Sequence, residues 1–450
     1  MVEQTGRLAF HQFGWKAAPN GRTAVIEQGA QERLTRGQIA SVAAGNALEF
    51  YDFVTYAFFA MQIGRALFPG DKTSTLLLSL ATFGVGFLTR PLGGILIGRL
   101  ADRRGRKPAM ILSFSMMGLA MTGLALTPSY AQIGIAAPIV AVLFRLLQGF
   151  ALGGEVGPNI AYLLEAAPPN RRGFYISLNF ASADLAVLAA GLVGLGLSSA
   201  LDTSQLESWG WRVAFLLGAT IVPLGLRLRR TLVETLPAGG PEAAAPLVRK
   251  VWMLAGAGLL IIAGATISNY TLEYLTTYAQ ATLHMPVPTA FGATVVLGSV
   301  GVAGDLAGGW LSDRFAAKRV LIIPWLLLIF SIVPVFRILE ATRTSTALLT
   351  STAVLTILHI LGSSPATIHF VSALPARARA GAIGVVYALA IAIFGGTTQI
   401  AETLLIRWTG NPVAPAWYMM GAVVVALTGA LSIPGVRGRG HTPETAAAVA

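Results

Sequence analysis

The sequence predicts an all-α membrane protein of twelve transmembrane helices in two pseudo-symmetric six-helix halves. Composition, the spacing of apolar runs and a loop motif that occurs twice predict it. Of 450 residues, 54% are hydrophobic and 12% charged, about half the charged share usual for a soluble domain. Mean hydropathy is +0.68. So few charges cannot cover that much apolar surface in water. The apolar runs are continuous rather than alternating over about ten residues, which excludes a β-barrel. At about 20 apolar residues per helix, the length accommodates about twelve spans. There is no cysteine, so disulfides, thiolate chemistry and cysteine-ligated metals are excluded and compartment is left open.

Residues 1–40 are polar and of mixed charge, lack the apolar core of a signal peptide, and read as a cytoplasmic tail. Apolar spans follow at 42–66, 75–98, 108–127, 133–163, 173–201 and 211–228, within an amino-terminal half over 41–230. A linker over 231–250 contains the Pro/Gly/Ala-rich stretch from Pro237 to Pro246. Six more spans at 251–282, 288–312, 320–338, 345–371, 380–406 and 413–434 make a second half over 251–434, and 435–450 is a second tail.

Charge placement sets the orientation. With the amino terminus inside, 24 of the 32 Lys and Arg fall in cytoplasmic segments and six on the opposite side, while Arg90 and Arg145 lie within spans. That is a positive-inside bias, with both termini cytoplasmic. The net charge of +12 is therefore topological, and no basic patch with interleaved aromatics suggests a nucleic-acid partner. A monomer in the cell's inner (plasma) membrane is expected.

Nine ionisable residues fall inside spans: Glu49, Asp52, Arg90, Arg145, Glu155, Asp184, Glu273, Asp305 and Glu402. Each costs about 2.5–3.5 kcal/mol at the bilayer centre, so they are expected to face one another or a wet cavity. Helical spacing supports a cavity. Arg145, Gln148, Glu155, Asn159 and Tyr162 share one stripe of the fourth span. Asn46, Glu49, Asp52 and Tyr56 share one in the first span, and Thr266, Asn269, Glu273, Thr276 and Gln280 one in the seventh. Three polar rails suit a central aqueous path. His359 lies mid-span in the tenth helix, where an imidazole is a plausible proton carrier.

Enzyme signals are weak: no His-Glu-x-x-His, P-loop or Gly-x-Ser-x-Gly pattern stands out. No metal or cofactor is expected. The 50 glycines fit close helix packing, and Gly93-Gly94 and Gly153-Gly154 read as contact points between helices.

Gly98-Arg-Leu-Ala-Asp102-Arg103-Arg-Gly105-Arg106-Lys107 follows the second span, and Gly309-Trp-Leu-Ser-Asp313-Arg314 follows the eighth, a repeat at equivalent points of the two halves. The loop resembles the signature of the major facilitator superfamily. Gly45-Asn46-x-Leu48-Glu49-x-Tyr51-Asp52-Phe53, Phe87-Leu-x-Arg90-Pro91-x-Gly93 and Arg145-Leu-Leu-Gln148-Gly149-Phe-x-x-Gly153-Gly154-Glu155 resemble the metabolite:proton symporters within it. Ala392-Ile-Phe-Gly-Gly396 and Thr409-Gly-Asn-Pro-x-Ala414-Pro-Ala-Trp-Tyr418 are most similar to its citrate and tricarballylate symporters. One departure stands out: Ala183-Asp184 occupies the place of a glutamine pair in the fifth span of citrate-type members.

The resemblance implies a proton-coupled transporter importing a small organic acid, a di- or tricarboxylate such as citrate or tricarballylate. A zwitterionic osmolyte or shikimate-like cargo is the alternative, and a membrane sensor or membrane-embedded enzyme a distant one. Arg90 and Arg145 are the natural carboxylate clamps, because guanidinium presents a bidentate fork that stays charged. Gln148, Asn179, Asn269, Tyr270 and Gln399 are candidates for neutral hydrogen bonds to substrate. Asp52, Glu155, Asp184, Glu49 and His359 are the candidate proton carriers. Asp102 is expected to accept hydrogen bonds where helix ends meet across the halves, and Arg103 and Arg106 to pair with Glu165.

Overall fold

In lipid a backbone that cannot reach water satisfies its amides and carbonyls only internally, and this chain does so with helices. The computed structural model describes residues 36–104, 106–153, 163, 167–168, 170–231 and 249–434. The expected tails, the linker, Gly105, Glu155 and Glu165 lie outside the described residues, wholly or for the most part. So do the side chains of Glu49, Asp102, Arg103 and Arg106.

The helices are α1 (Arg36–Phe58), α2 (Ala60–Leu67), α3 (Lys72–Leu88), α4 (Arg90–Arg104), α5 (Arg106–Leu126), α6 (Tyr130–Ile133), α7 (Ala136–Leu152), α8 (Arg172–Ala200) and α9 (Thr203–Gln205). They continue with α10 (Trp211–Thr231), α11 (Arg249–Ala281), α12 (Val287–Arg314), α13 (Ala317–Thr342), α14 (Ser345–Ala373), α15 (Ala376–Ala390), α16 (Gly396–Thr409) and α17 (Ala414–Ser432). Every apolar window read from the sequence holds one or two of them. Among the described residues, eight helices are long and apolar enough to cross a membrane, and 111–126 and 136–152 are apolar but shorter.

Several windows contain irregularities the hydropathy pattern does not reveal, among them the second, where α3 and α4 part at Thr89. The first span is interrupted at Phe59, although Phe59 N still bonds Thr55 O (3.1 Å) and Ile63 N bonds Phe59 O (2.9 Å). The eleventh contains a π-helical turn, Ile391–Gly395, between α15 and α16. Loop-side carboxylates and hydroxyls start several helices. Asp71 accepts from Ser74 N (3.1 Å), and these contacts, the side-chain bond from Ser74 foremost, hold the exposed Asp71 carboxyl below the usual carboxylate range.

Small residues let the helices approach closely. A Cβ on Gly149 of α7 would lie 1.6 Å from Gly86 O of α3, and one on Gly93 would lie 1.9 Å from Phe150 O. Gly93 and Gly94 are contact points as expected, and so is Gly153, where a Cβ would lie 1.9 Å from Arg90 O; Gly154 lies outside the described residues. Between the halves, a Cβ on Gly84 would fall 2.3 Å from Gly396 O, so α3 and α16 meet backbone to backbone. The main seam between the halves is α8 against α12.

One end of the bundle carries Arg314, Lys318 and Arg319 (the basic end), and there Lys318 Nζ holds the carbonyls of Leu431 (2.9 Å) and Ile433 (2.7 Å) at the end of α17. At the same end Asp313 accepts from the first amides of α8, Gly173 N at 2.7 Å and Phe174 N at 2.9 Å. The far end is closed by Phe59 against Phe291, with ring centroids 4.8 Å apart, and by Gln62 Nε2 donating to Gln280 Oε1 at 3.1 Å. Arg65 and Glu207 form an ion pair there within the first half.

Candidate functional site

Between these two ends α1, α8, α11, α12, α14 and α15 enclose a cavity of about 1110 Å³, counted with its opening. Its polar lining is Asn179, Asp184, Thr266, Asn269, Tyr270, Glu273, Asp305, His359, Ser363, Ser364, Thr367 and Tyr387. Phe50, Phe53 and Phe370 contribute rings.

The seventh-span rail read from the sequence lies where it was expected. Thr266, Asn269 and Glu273 of α11 face the cavity, and Asn269 Nδ2 donates to Glu273 Oε1 at 2.9 Å. Farther along the same face, Thr276 bonds Thr294 (2.6 Å) and Gln280 meets Gln62. The rail thus runs from the cavity into the closed far end.

The first-span rail turns elsewhere. Phe50, Phe53 and Val54 are the α1 residues on the cavity wall. Asn46 instead donates from Nδ2 to Asn179 O (3.0 Å) and Ser182 Oγ (2.8 Å), and Asp52 turns toward α7. There Arg145 Nη1 donates to Gln148 Oε1 at 2.6 Å, and Gln148 Nε2 donates to Asp52 Oδ1 at 3.0 Å. Gln148 links the cation to the carboxylate, and all three are buried. Asp52 Oδ2 and Arg145 Nε and Nη2 have no hydrogen-bond partner among the described residues.

An aromatic layer separates both arginines from the cavity. The Arg90 guanidinium lies over Phe53 at 4.5 Å and Phe87 at 4.3 Å. That of Arg145 lies over Tyr56 at 4.4 Å, Phe53 at 5.0 Å and Phe83 at 5.2 Å. Desolvated cation–π contacts are worth about 2 kcal/mol each, which helps hold two like charges against one ring. Phe83 and Phe87 pack edge-on against Tyr270 of the other half, at 6.1 and 5.8 Å. Phe53 and Tyr270 are thus the faces that the arginine side turns to the cavity.

Of the expected substrate contacts, Asn179, Asn269 and Tyr270 line the cavity, while Arg90, Arg145 and Gln148 stand behind Phe53. Gln399 is buried outside the lining, with neither end of its amide hydrogen-bonded among the described residues. Of the expected proton carriers, Asp184 and His359 are on the wall and Asp52 is in the relay.

Sequence reasoning put Glu273 on a polar rail and marked Asp305 as an intramembrane acid, without giving either a role, and both face the cavity. Asp305 accepts from Ser364 Oγ at 2.5 Å, and the Asp184 carboxyl lies over Gly301, one turn before it on the same helix. The available signal was Asp305 following Gly301 and Gly304, a small-residue face that brings its helix close to a neighbour. Glu402, the remaining acid, is buried and accepts from Thr271 Oγ1 at 2.5 Å. No group of three metal-ligating side chains occurs among the described residues.

Two bundled halves closing on a buried polar cavity define a membrane transport protein. The chain belongs to the major facilitator superfamily, whose family model matches residues 42–399. It is 33% identical over 402 residues to a citrate-proton symporter of Salmonella typhi, covering 87% of this chain and 92% of that one. It is 32% identical over 394 residues to an alpha-ketoglutarate permease of Escherichia coli, covering 86% and 91%. It is 31% identical over 415 residues to a glycine betaine/proline/ectoine/pipecolic acid transporter of Dickeya dadantii, covering 87% and 82%. The solved proton:xylose symporter of the superfamily superimposes with a TM-score of 0.72 at 17% identity, covering 89% of this chain and 96% of that one.

Proposed function

We propose that this protein is a proton-coupled symporter that imports a small organic acid, a di- or tricarboxylate of the citrate or 2-oxoglutarate kind. The observation that carries the reading is the pair of buried guanidiniums beside the cavity, Arg90 and Arg145, neither of them in direct contact with a carboxylate among the described residues. Among the described residues Arg145 reaches Asp52 through Gln148 and keeps two nitrogens without a hydrogen-bond partner. Fixed cations with unused donors attract and orient an anion. The named relatives that carry citrate and alpha-ketoglutarate support this cargo class.

In this reading the basic end is cytoplasmic, both termini lie inside, and a monomer sits in the inner membrane. The halves over 41–230 and 251–434 rock about the cavity. The protein moves its cargo unchanged, as a carrier and not as an enzyme.

A zwitterionic osmolyte is the second reading, favoured by the acidic wall of Asp184, Glu273 and Asp305 opposite the arginines, which suits a cargo with one charge of each sign. Counterflow in proteoliposomes with labelled citrate, tricarballylate, 2-oxoglutarate, shikimate and glycine betaine separates the two. Exchange of a carboxylate together with protonophore-sensitive accumulation supports the proposal, and exchange of glycine betaine alone replaces it with the second reading.

A further inference from the structure

The seam between α8 and α12 holds an arrangement that lattice-like packing of apolar helices does not need. Gly301 and Asp305 lie one turn apart on the same face of α12, and the Asp184 carboxyl of α8 rests over that turn. A Cβ on Gly301 would lie 2.0 Å from Asp184 Oδ2, so the absent side chain is what makes room for the carboxyl. Asp184 and Asp305 are thereby neighbours across the seam, both on the wall of the same cavity. The donor to Asp305 is Ser364 Oγ, and Asp184 Oδ2 has no donor among the described residues. Two carboxylates offer only acceptors, so a bond between them requires a proton. Two carboxyls sharing one buried site hold a proton between them because both cannot ionise cheaply at contact distance.

The surroundings point the same way. Of the elements packed against α8 and α12, α11 presents Glu273 and α14 presents His359 and Ser364 to the same cavity. Neither aspartate forms an ion pair among the described residues. On α1, Asp52 is engaged by Gln148. Two further titratable groups on the cavity wall keep an atom without a hydrogen-bond partner among the described residues: His359, 3% exposed, at Nδ1, and Glu273, 5% exposed, at Oε2. Both line the cavity with the pair and are placed to pass on a proton that leaves it.

We propose that Asp184 and Asp305 share a single exchangeable proton across the seam between the halves, and that this is the proton taken up and released in the transport cycle. This deepens the symporter reading above and rests on it. With the proton in place the pair carries one negative charge and the seam is closed by an O–H···O bond. On release, that O–H bond breaks, the proton passes to cavity water, and two carboxylates remain face to face. Their repulsion drives α8 and α12 apart. Proton release and rocking of the halves are thereby one event, and re-protonation from the other side restores the bond.

The test is transport of radiolabelled citrate by the full-length protein in proteoliposomes, for wild type, Asp184→Asn and Asp305→Asn. An asparagine amide donates to the remaining carboxylate and imitates the permanently protonated pair. Wild type should accumulate citrate by about tenfold for each pH unit of gradient and coupled proton, whereas either variant should fall to a ratio of about one. Counterflow, which needs no net proton release, should persist in both variants and lose its pH dependence. Proton-driven accumulation in either variant overturns the proposal. So does failure of both to yield monodisperse protein, because a one-proton pair accepts an amide on one side. Wild type that exchanges citrate without any proton dependence refutes the symporter reading instead, and is recognised before any variant is made.

Discussion

Asp313 accepts two hydrogen bonds from the start of α8, and its closer contact is Gly173 N at 2.7 Å. The carboxylate thus crosses from one half to the other and sits at the positive end of a 29-residue helix. Charge and free amides are matched there, as at any well-capped amino terminus. A Cβ on Gly173 would fall 2.7 Å from Gly309 O, so the two backbones cannot approach this way with larger residues.

Asp313→Asn keeps the shape and removes the charge. The loss expected is about 1 kcal/mol of capping and helix-dipole stabilisation, felt only in the conformation that holds α8 against α12. Turnover should therefore fall several-fold while citrate affinity, measured by equilibrium binding to purified protein, stays near that of wild type. Turnover indistinguishable from wild type would rule out a gating role for this contact.

How much of this was legible in the sequence follows from what periodicity records. The α11 rail was readable because Thr266, Asn269 and Glu273 repeat at helical spacing, and the structure places all three on the cavity. The helix-end bonds were expected of Asp102, whose side chain lies outside the described residues, and Asp313 at the equivalent point of the repeat makes such bonds. Periodicity does not record which way a helix is rotated. Asn46 and Asp52 share a stripe with no cavity in front of it, because Ser182 and Gln148 offer them partners within their own half. Nor does it show that Phe53 screens the arginines, since a phenylalanine in an apolar span is unremarkable in sequence. Asp305 was visible as an acid in a span, but its neighbour across the seam, Asp184, lies in the other half.

Gly149→Ala tests the packing. The new Cβ would lie 1.6 Å from Gly86 O, and neither backbone can yield without moving α3 or α7. Overpacking of this kind costs about 1–3 kcal/mol. The variant should unfold at lower temperature than wild type in detergent, by several degrees in a fluorescence melt. Gly98→Ala, where a Cβ meets nothing within 4 Å, should melt like wild type. Equal melting temperatures for Gly149→Ala and Gly98→Ala would mean that α3 and α7 are not packed as described.

Asp71 gives a pH signature outside the spans. Its ionised carboxyl accepts from Ser74, which holds it below the ordinary carboxylate range. Because the folded value is depressed, the cap contributes stability above the unfolded value and loses it as pH falls through the folded one. Asp71→Asn should therefore melt below wild type at neutral pH, with the difference shrinking on acidification. A difference that grows toward acid pH would contradict the cap.

The relay through Gln148 separates binding from coupling. Arg145→Lys keeps the charge and loses the planar fork, so it cannot both donate to Gln148 and face an anion. Citrate affinity should fall about ten- to a hundredfold, the equivalent of roughly 1.5–3 kcal/mol for charged hydrogen bonds. Asp52→Asn leaves an amide oxygen to accept from Gln148 Nε2 at the position now 3.0 Å away, but removes the negative charge that faces Arg145 through Gln148. It should change affinity and still accumulate citrate against a proton gradient, because the exchangeable proton is assigned to Asp184 and Asp305. The decisive measurement is the protonophore-sensitive accumulation ratio of Asp52→Asn beside its counterflow rate. Loss of accumulation with counterflow retained would place the coupling proton on Asp52, and the seam pair would then be a fixed contact between the halves.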